Sequence, residues 1–212
     1  MLQAIDYDGV ARMLRSAAEE IRANHERLSK LDSVGGDGDH GTTMVRAMAL
    51  IDKTLDGRAN RDIESLLRDL GWAIMGVDGG AIGPLLGLFF AGMANAAEGE
   101  SADAAQLAAM FEAGLANLRK QTKAQPGDKT LMDALVPAVE AARADTASND
   151  VVSMLKAAAR AAEAGADATK DMVAKFGRAR NVKEQTIGTP DPGATSVALI
   201  FNGFSKGAEK YA

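Results

Sequence analysis

The chain has 212 residues, no cysteine, 47% hydrophobic residues and a formal net charge of -5, its 24 Lys and Arg interspersed among 29 acids. This is enough apolar sequence for a core without staples, and it excludes disulfides, thiolate metal sites, cysteine nucleophiles and a basic face for nucleic acid or anionic lipid. The start, Met1-Leu2-Gln3-Ala4-Ile5-Asp6, lacks the basic and apolar regions of a signal peptide, and the most apolar run, Ala81 to Ala91, falls short of the ~20 residues that span a bilayer, so a soluble cytoplasmic protein is expected.

Val10, Met13, Leu14, Ala17, Ala18, Ile21 and Leu28 recur at helical spacing, which predicts a first helix from about Tyr7 to Lys30. It delivers the chain into Leu31 to Met44, where Asp32, Asp37 and Asp39 lie among four glycines. Met44, Ala47, Met48 and Ile51 mark a second helix, and Asn60 is expected to cap a third carrying Ile63, Leu66, Leu67, Leu70 and Ile74. A fourth helix is predicted from Pro84, a fifth after Ser101, a sixth from Thr130 and a long seventh from Asn149 to about Phe176 with Gly165 inside it. Asp191 and Pro192 supply a cap and a first helical position for the last. Trp72, Phe89 and Phe90 are read as core, and His25, among Asn24, Glu26 and Arg27, as a solvated surface residue. About eight helices with almost no alternating pattern predict an all-α bundle or ring in one domain spanning 1–212. In an antiparallel arrangement the first, third, fifth and seventh connections meet at one rim.

The acidic loop carries the chemistry. Like charges this close stay ionised together only when water or a hard cation compensates them, and oxygen ligands suit Mg2+ or Ca2+. Asp37-x-Asp39 opens like a calcium hand, but the fifth and twelfth positions are Gly41 and Met48, so that reading fails. Gly36-x-Gly38-x-x-Gly41 follows a helix rather than a strand and contains two acids that repel a bare pyrophosphate, which rejects a dinucleotide fingerprint. Neither a P-loop nor the protein-kinase signatures occur. What remains is glycine-rich backbone beside cation ligands, with Thr42 and Thr43 at a helix start whose free N–H groups suit phosphate. Lys129 is open to two readings, a phosphate contact or a turn residue paired with Asp128.

Leu31-Asp32 with Gly36-Asp37-Gly38-Asp39-His40-Gly41, then Gly79-Gly80-Ala81-x-Gly83-Pro84-Leu85, Pro126-Gly127-Asp128-Lys129-Thr130, Gly177-Arg178-Ala179 and Asp191-Pro192-Gly193-Ala194-Thr195-Ser196, resemble the nucleotide-binding L subunit family of dihydroxyacetone kinase (DhaL, or Dak phosphatase-like domain) in order, spacing and length. The resemblance implies an eight-helix antiparallel barrel binding ADP or ATP at one rim through a pair of Mg2+ ions held by Asp32, Asp37 and Asp39. It further implies that His40, Gly41, Thr42 and Thr43 hold phosphate and ribose oxygens. Ala81 and Ile82 would lie against the phosphates and Thr122 and Leu131 beside the base. Arg178 and the turn Asp191-Pro192-Gly193 would close the site, Arg178 being the candidate for stabilising transferred charge.

The same resemblance implies a kinase subunit, active only with a separate ketose-binding K subunit. It would use ATP directly or keep ADP for rephosphorylation by a phosphotransferase-system M subunit. A nucleotide-state sensor that binds a transcription regulator is the alternative. The chain departs from the family pattern at Ile82, where a serine is common, at Thr43, where some members have Asn, and over Arg180-Asn181-Val182-Lys183-Glu184. These departures leave open a related ketose, such as a tetrulose, as the acceptor.

Overall fold

The apolar stripes read along the chain close on one another as a ring of helices. The computed structural model describes residues 1–212. A short strand β1 (Ala4–Asp6) leads into α1 (Tyr7–Ala23), α2 (His25–Asp32), α3 (His40–Asp56), α4 (Ile63–Met75) and α5 (Ile82–Ala94). A second strand β2 (Ser101–Asp103) precedes α6 (Ala104–Arg119), α7 (Met132–Ala144), α8 (Val151–Ala168) and α9 (Pro192–Tyr211). The strands pair antiparallel with Ile5 opposite Ala102, a small ribbon that the sequence pattern does not announce.

Helix α1 packs on α3, and neighbours follow in chain order from α3 to α9, which returns to α1. The expected all-α class and eight-helix antiparallel barrel are thus present, with α2 continuing α1 after a break. One contiguous core of 55 buried residues fills it. At its centre the Phe111 ring lies parallel to Phe204 at 6.2 Å and edge-on to Phe201 at 5.3 Å. Each such ring contributes roughly 1.5–3 kcal/mol by leaving water. The seam between α1 and α9 is unusually close, because a Cβ on Gly203 would lie 2.3 Å from Ala17 Cα and one on Gly207 2.6 Å from Met13 Cα. No helix is long and apolar enough to cross a membrane.

The two rims differ in how their helices start. At one, which we call the far rim, α1, α4, α6 and α8 begin with Asp6, Asp62, Asp103 and Asp150, each accepting a backbone N–H of its own first turn. The chain ends lie there too: Leu2 N–H donates to Asp150 at 3.0 Å, and Arg12 donates to the carbonyl of Lys210 at 3.4 Å. At the opposite, near rim, only α9 begins with a capping aspartate, Asp191, whereas the cap residues of α3, α5 and α7 make no side-chain capping bond.

Several boundaries differ from expectation. The predicted helix from Tyr7 to Lys30 is broken at Asn24 (φ -115°), whose side chain donates to Glu20 O at 2.9 Å, and the polar run that follows gives no apolar signal to reveal the break. His25 is exposed, as expected, with its ring bonded to Arg22 O. Helix α4 is capped by Asp62 rather than Asn60, which instead donates to Ser65 Oγ at 3.3 Å. Helix α5 starts two residues before Pro84, in the first turn where no N–H is needed. Helix α8 ends at Ala168 in a tight turn, Thr169–Asp171, well short of Phe176. Trp72 is not core: it is 69% exposed, off the buried stripe of Leu67, Leu70, Gly71 and Ile74.

Candidate functional site

At the near rim the four expected connections converge on a cavity of about 330 Å³, lined by segments within 31–43, 79–85, 122–132 and 176–193. That volume lies in the range of small-molecule sites. Three of the four helix starts facing it, those of α3, α5 and α7, have no side chain at the cap position bonding their first turn. At α7 the Met132 N–H is instead met by Thr130 Oγ1 at 3.2 Å, so the first-turn N–H groups of α3 and α5 remain the ones available to an anion. The far rim, with every helix start satisfied by an aspartate, has no such capacity.

The acidic cluster is built by local geometry. Helix α2 ends at Asp32, the Gly36 N–H folds back onto Asp32 O at 2.6 Å, and Gly38, at φ +78°, turns its own N–H to Asp32 Oδ2 at 2.9 Å. Asp39 occupies the cap position of α3, yet its side chain makes no capping bond. One oxygen from each of Asp32, Asp37 and Asp39 lies within 4.8 Å of the others. At such separations each ionised pair repels by about 1 kcal/mol in water and about 3 kcal/mol near a protein surface. The one cation in contact is Arg178, ion-paired with Asp37 while both stay exposed to solvent. Three carboxylates against one guanidinium leave surplus negative charge on a hard, oxygen-only donor set, which fits Mg2+ and not a soft metal.

Around the cluster, His40 Nε2 lies 2.8 Å from Ser196 Oγ, tying the start of α3 to α9. Burial holds the His40 imidazole below its usual range, opposed by the Asp32 charge and a bond to the Pro192 backbone. Thr43, 1% exposed, sits under the turn before α5, where a Cβ on Gly79 (φ +122°) would lie 2.3 Å from its hydroxyl oxygen. Asp191 caps α9 through Ala194 N–H at 2.7 Å. Burial raises its carboxyl to about 7, against the lowering effect of the Ala194 bond, with Asp133 adding to the rise and Lys129 opposing it.

Asp32, Asp37, Asp39, His40, Thr43, Ala81, Ile82, Thr122, Leu131, Arg178, Asp191, Pro192 and Gly193 all border the cavity. Gly41 and Thr42 do not: Gly41 packs on α2, where a Cβ would meet His25 O at 1.9 Å, and Thr42 points to solvent. Lys129 fulfils neither of its two expected roles. Asp128 pairs with Lys175 at 2.9 Å, and Lys129 is 4% exposed and bonded to backbone carbonyls. Sequence reasoning gave no role to Ser196 or Asp133. Ser196 lies inside the quoted Asp-Pro-Gly-Ala-Thr-Ser run, whereas Asp133, one acid on an apolar helix, carries no pattern that marks it.

The DAK2 domain profile matches residues 34–206. The chain is 36% identical to the ADP-binding subunit DhaL of the PEP-dependent dihydroxyacetone kinase 1 of Listeria innocua, over 93% of this chain and 94% of that one. It is 37% identical to the corresponding Escherichia coli subunit, over 90% and 92%. It also superposes on the dihydroxyacetone kinase of C. freundii, crystallised with AMP-PNP and Mg2+, with a TM-score of 0.71 and 27% identity, covering 93% of this chain and 33% of that one.

Proposed function

The chain belongs to the DAK2-domain family, and from that premise we propose that residues 1–212 form one nucleotide-binding domain, the ADP/ATP-binding subunit of a dihydroxyacetone or related short-ketose kinase. The observation that carries this is the joining of Asp32, Asp37 and Asp39 to the uncapped starts of α3 and α5 around one cavity. Acceptor ketose is supplied on a separate K subunit. Support for ADP retained as a cofactor, recharged by a phosphotransferase-system M subunit, comes from the relatives named as ADP-binding subunits and matched over nearly their whole length.

Phosphoryl transfer demands positioning and neutralisation of spreading charge more than covalent chemistry. Asp32, Asp37 and Asp39 would hold a pair of Mg2+ ions, which would supply that neutralisation when bound. The backbone N–H groups opening α3 and α5 hold phosphate oxygens, with Ala81 and Ile82 offering main chain only. His40, kept neutral by burial, fixes the α3 start through Ser196 rather than moving a proton. Thr122 and Leu131 border the base. Arg178 brings its planar fork to the transferred group from the exposed side of the cavity, once it leaves Asp37.

The test is the nucleotide content of the purified, desalted protein with and without EDTA, followed by addition of K subunit and phosphoryl donor. Near-stoichiometric ADP released only by EDTA, with transfer to a ketose, is expected. An empty protein that binds ATP only with Mg2+ would replace the cofactor form by direct ATP use, and absence of binding in both conditions would overturn the kinase reading.

A further inference from the structure

Lys129 is a buried charge that the proposed chemistry does not use. Its ammonium donates to the carbonyls of Thr169, Thr186 and Thr189 at 2.8, 2.7 and 2.6 Å. With three acceptors for three protons, it has none left for a phosphate oxygen. The three carbonyls belong to the two ends of a single excursion of the chain: Thr169 closes α8, and Thr186 and Thr189 lead into α9. Between them the strap of residues 172–190 carries Arg178 across the mouth of the cavity.

The loop that holds Lys129 is itself fixed. Asp133, 3% exposed, accepts from Gly127 N–H at 2.5 Å and Thr130 N–H at 2.7 Å. Lys129 adopts a left-handed backbone (φ +58°), which a residue with a side chain keeps only where its surroundings impose it. The adjacent Asp128 grips the start of the strap, its carbonyl accepting Lys175 N–H at 3.1 Å and its carboxylate the Lys175 ammonium. Two neighbouring residues therefore hold both ends of the segment that presents Arg178.

We propose that Lys129 is a positioning residue, acting on bound nucleotide through Arg178 by tying the 172–190 strap to the loop before α7. Its effect on affinity rests on the nucleotide reading above; its effect on the strap rests on geometry alone. The experiment compares Lys129→Met and Lys129→Gly, the latter relieving the left-handed backbone so that folding is retained, by hydrogen exchange of the full chain without ligand and by calorimetric titration with Mg-ADP. In both variants the amides of Lys175, Gly188 and Asp191 are expected to exchange faster while those of α1 do not change. Mg-ADP binding should weaken about tenfold, the scale of one charge-assisted contact, in the parent protein, and by no further factor when Arg178→Ala is already present. Unchanged strap exchange, or an equal loss of affinity with and without Arg178, would overturn the proposal. Should the parent protein bind no Mg-ADP, the nucleotide reading falls, and the exchange comparison alone decides whether Lys129 orders the strap.

Discussion

Asp39 stands where a helix start normally spends a carboxylate on its own backbone, and four aspartates at the far rim do so. Its freedom from that duty argues that the oxygen serves a ligand. Asp39→Ala should weaken Mg-ADP binding by about 100-fold or more, as loss of a direct metal ligand does, with an unchanged helical circular dichroism spectrum. Apo stability should not fall, since a like charge is removed from a crowded group; a drop in apo melting temperature would mean that Asp39 is structural. Asp191 gives a pH signature. Its folded carboxyl titrates near 7 and its unfolded one near 3.8, so the native state binds the extra proton between those values. The stability contributed by this group is present below about 4 and lost as pH rises towards about 7. Asp191→Asn, which keeps the cap, should flatten that part of the urea-denaturation profile measured in EDTA; an unaltered slope would show that Asp191 does not titrate there.

At the scale of elements, the α1–α9 seam depends on backbone approach. Gly203→Ala would press a methyl against the Ala17 backbone 2.3 Å away, and should cost about 1–3 kcal/mol by forcing two helices apart. Chemical denaturation reads this directly, and a loss below about 0.5 kcal/mol, the range of neutral surface changes, would show that the seam yields freely. Helix existence and order were legible from apolar spacing, and convergence of the odd-numbered connections followed from antiparallel packing alone. What escaped was set by tertiary bonds. Asn24 breaks a helix without glycine or proline, and β1 and β2 exist because two three-residue segments happen to meet. Trp72 lies in solvent because its register on α4, not its residue type, decides its burial. The acidic loop was legible as a cation site because charge crowding is a local property, whereas the partners of Lys129, 40 to 60 residues away, are visible only once the chain has folded.

For the whole molecule, ligand binding and stability are linked. A ligand that binds only the folded state at 100 times its dissociation constant adds about 2.7 kcal/mol. In a domain of this size that is a rise of roughly 5–10 °C in melting temperature. Mg-ADP should produce such a rise, EDTA should reverse it, and ADP with EDTA should give none; a shift insensitive to EDTA would separate nucleotide binding from the acidic cluster. The position of the chain ends has a different consequence. Both lie beside the Asp-capped rim, a full helix length from the cavity, with Leu2 bonded to the start of α8 and Lys210 to α1. Polypeptide joined to either end therefore departs away from the ligand and leaves its entrance open. The barrel behaves as a portable cassette: it can be spliced into a longer protein without rebuilding its mouth, in keeping with a similar unit occupying 33% of the C. freundii chain.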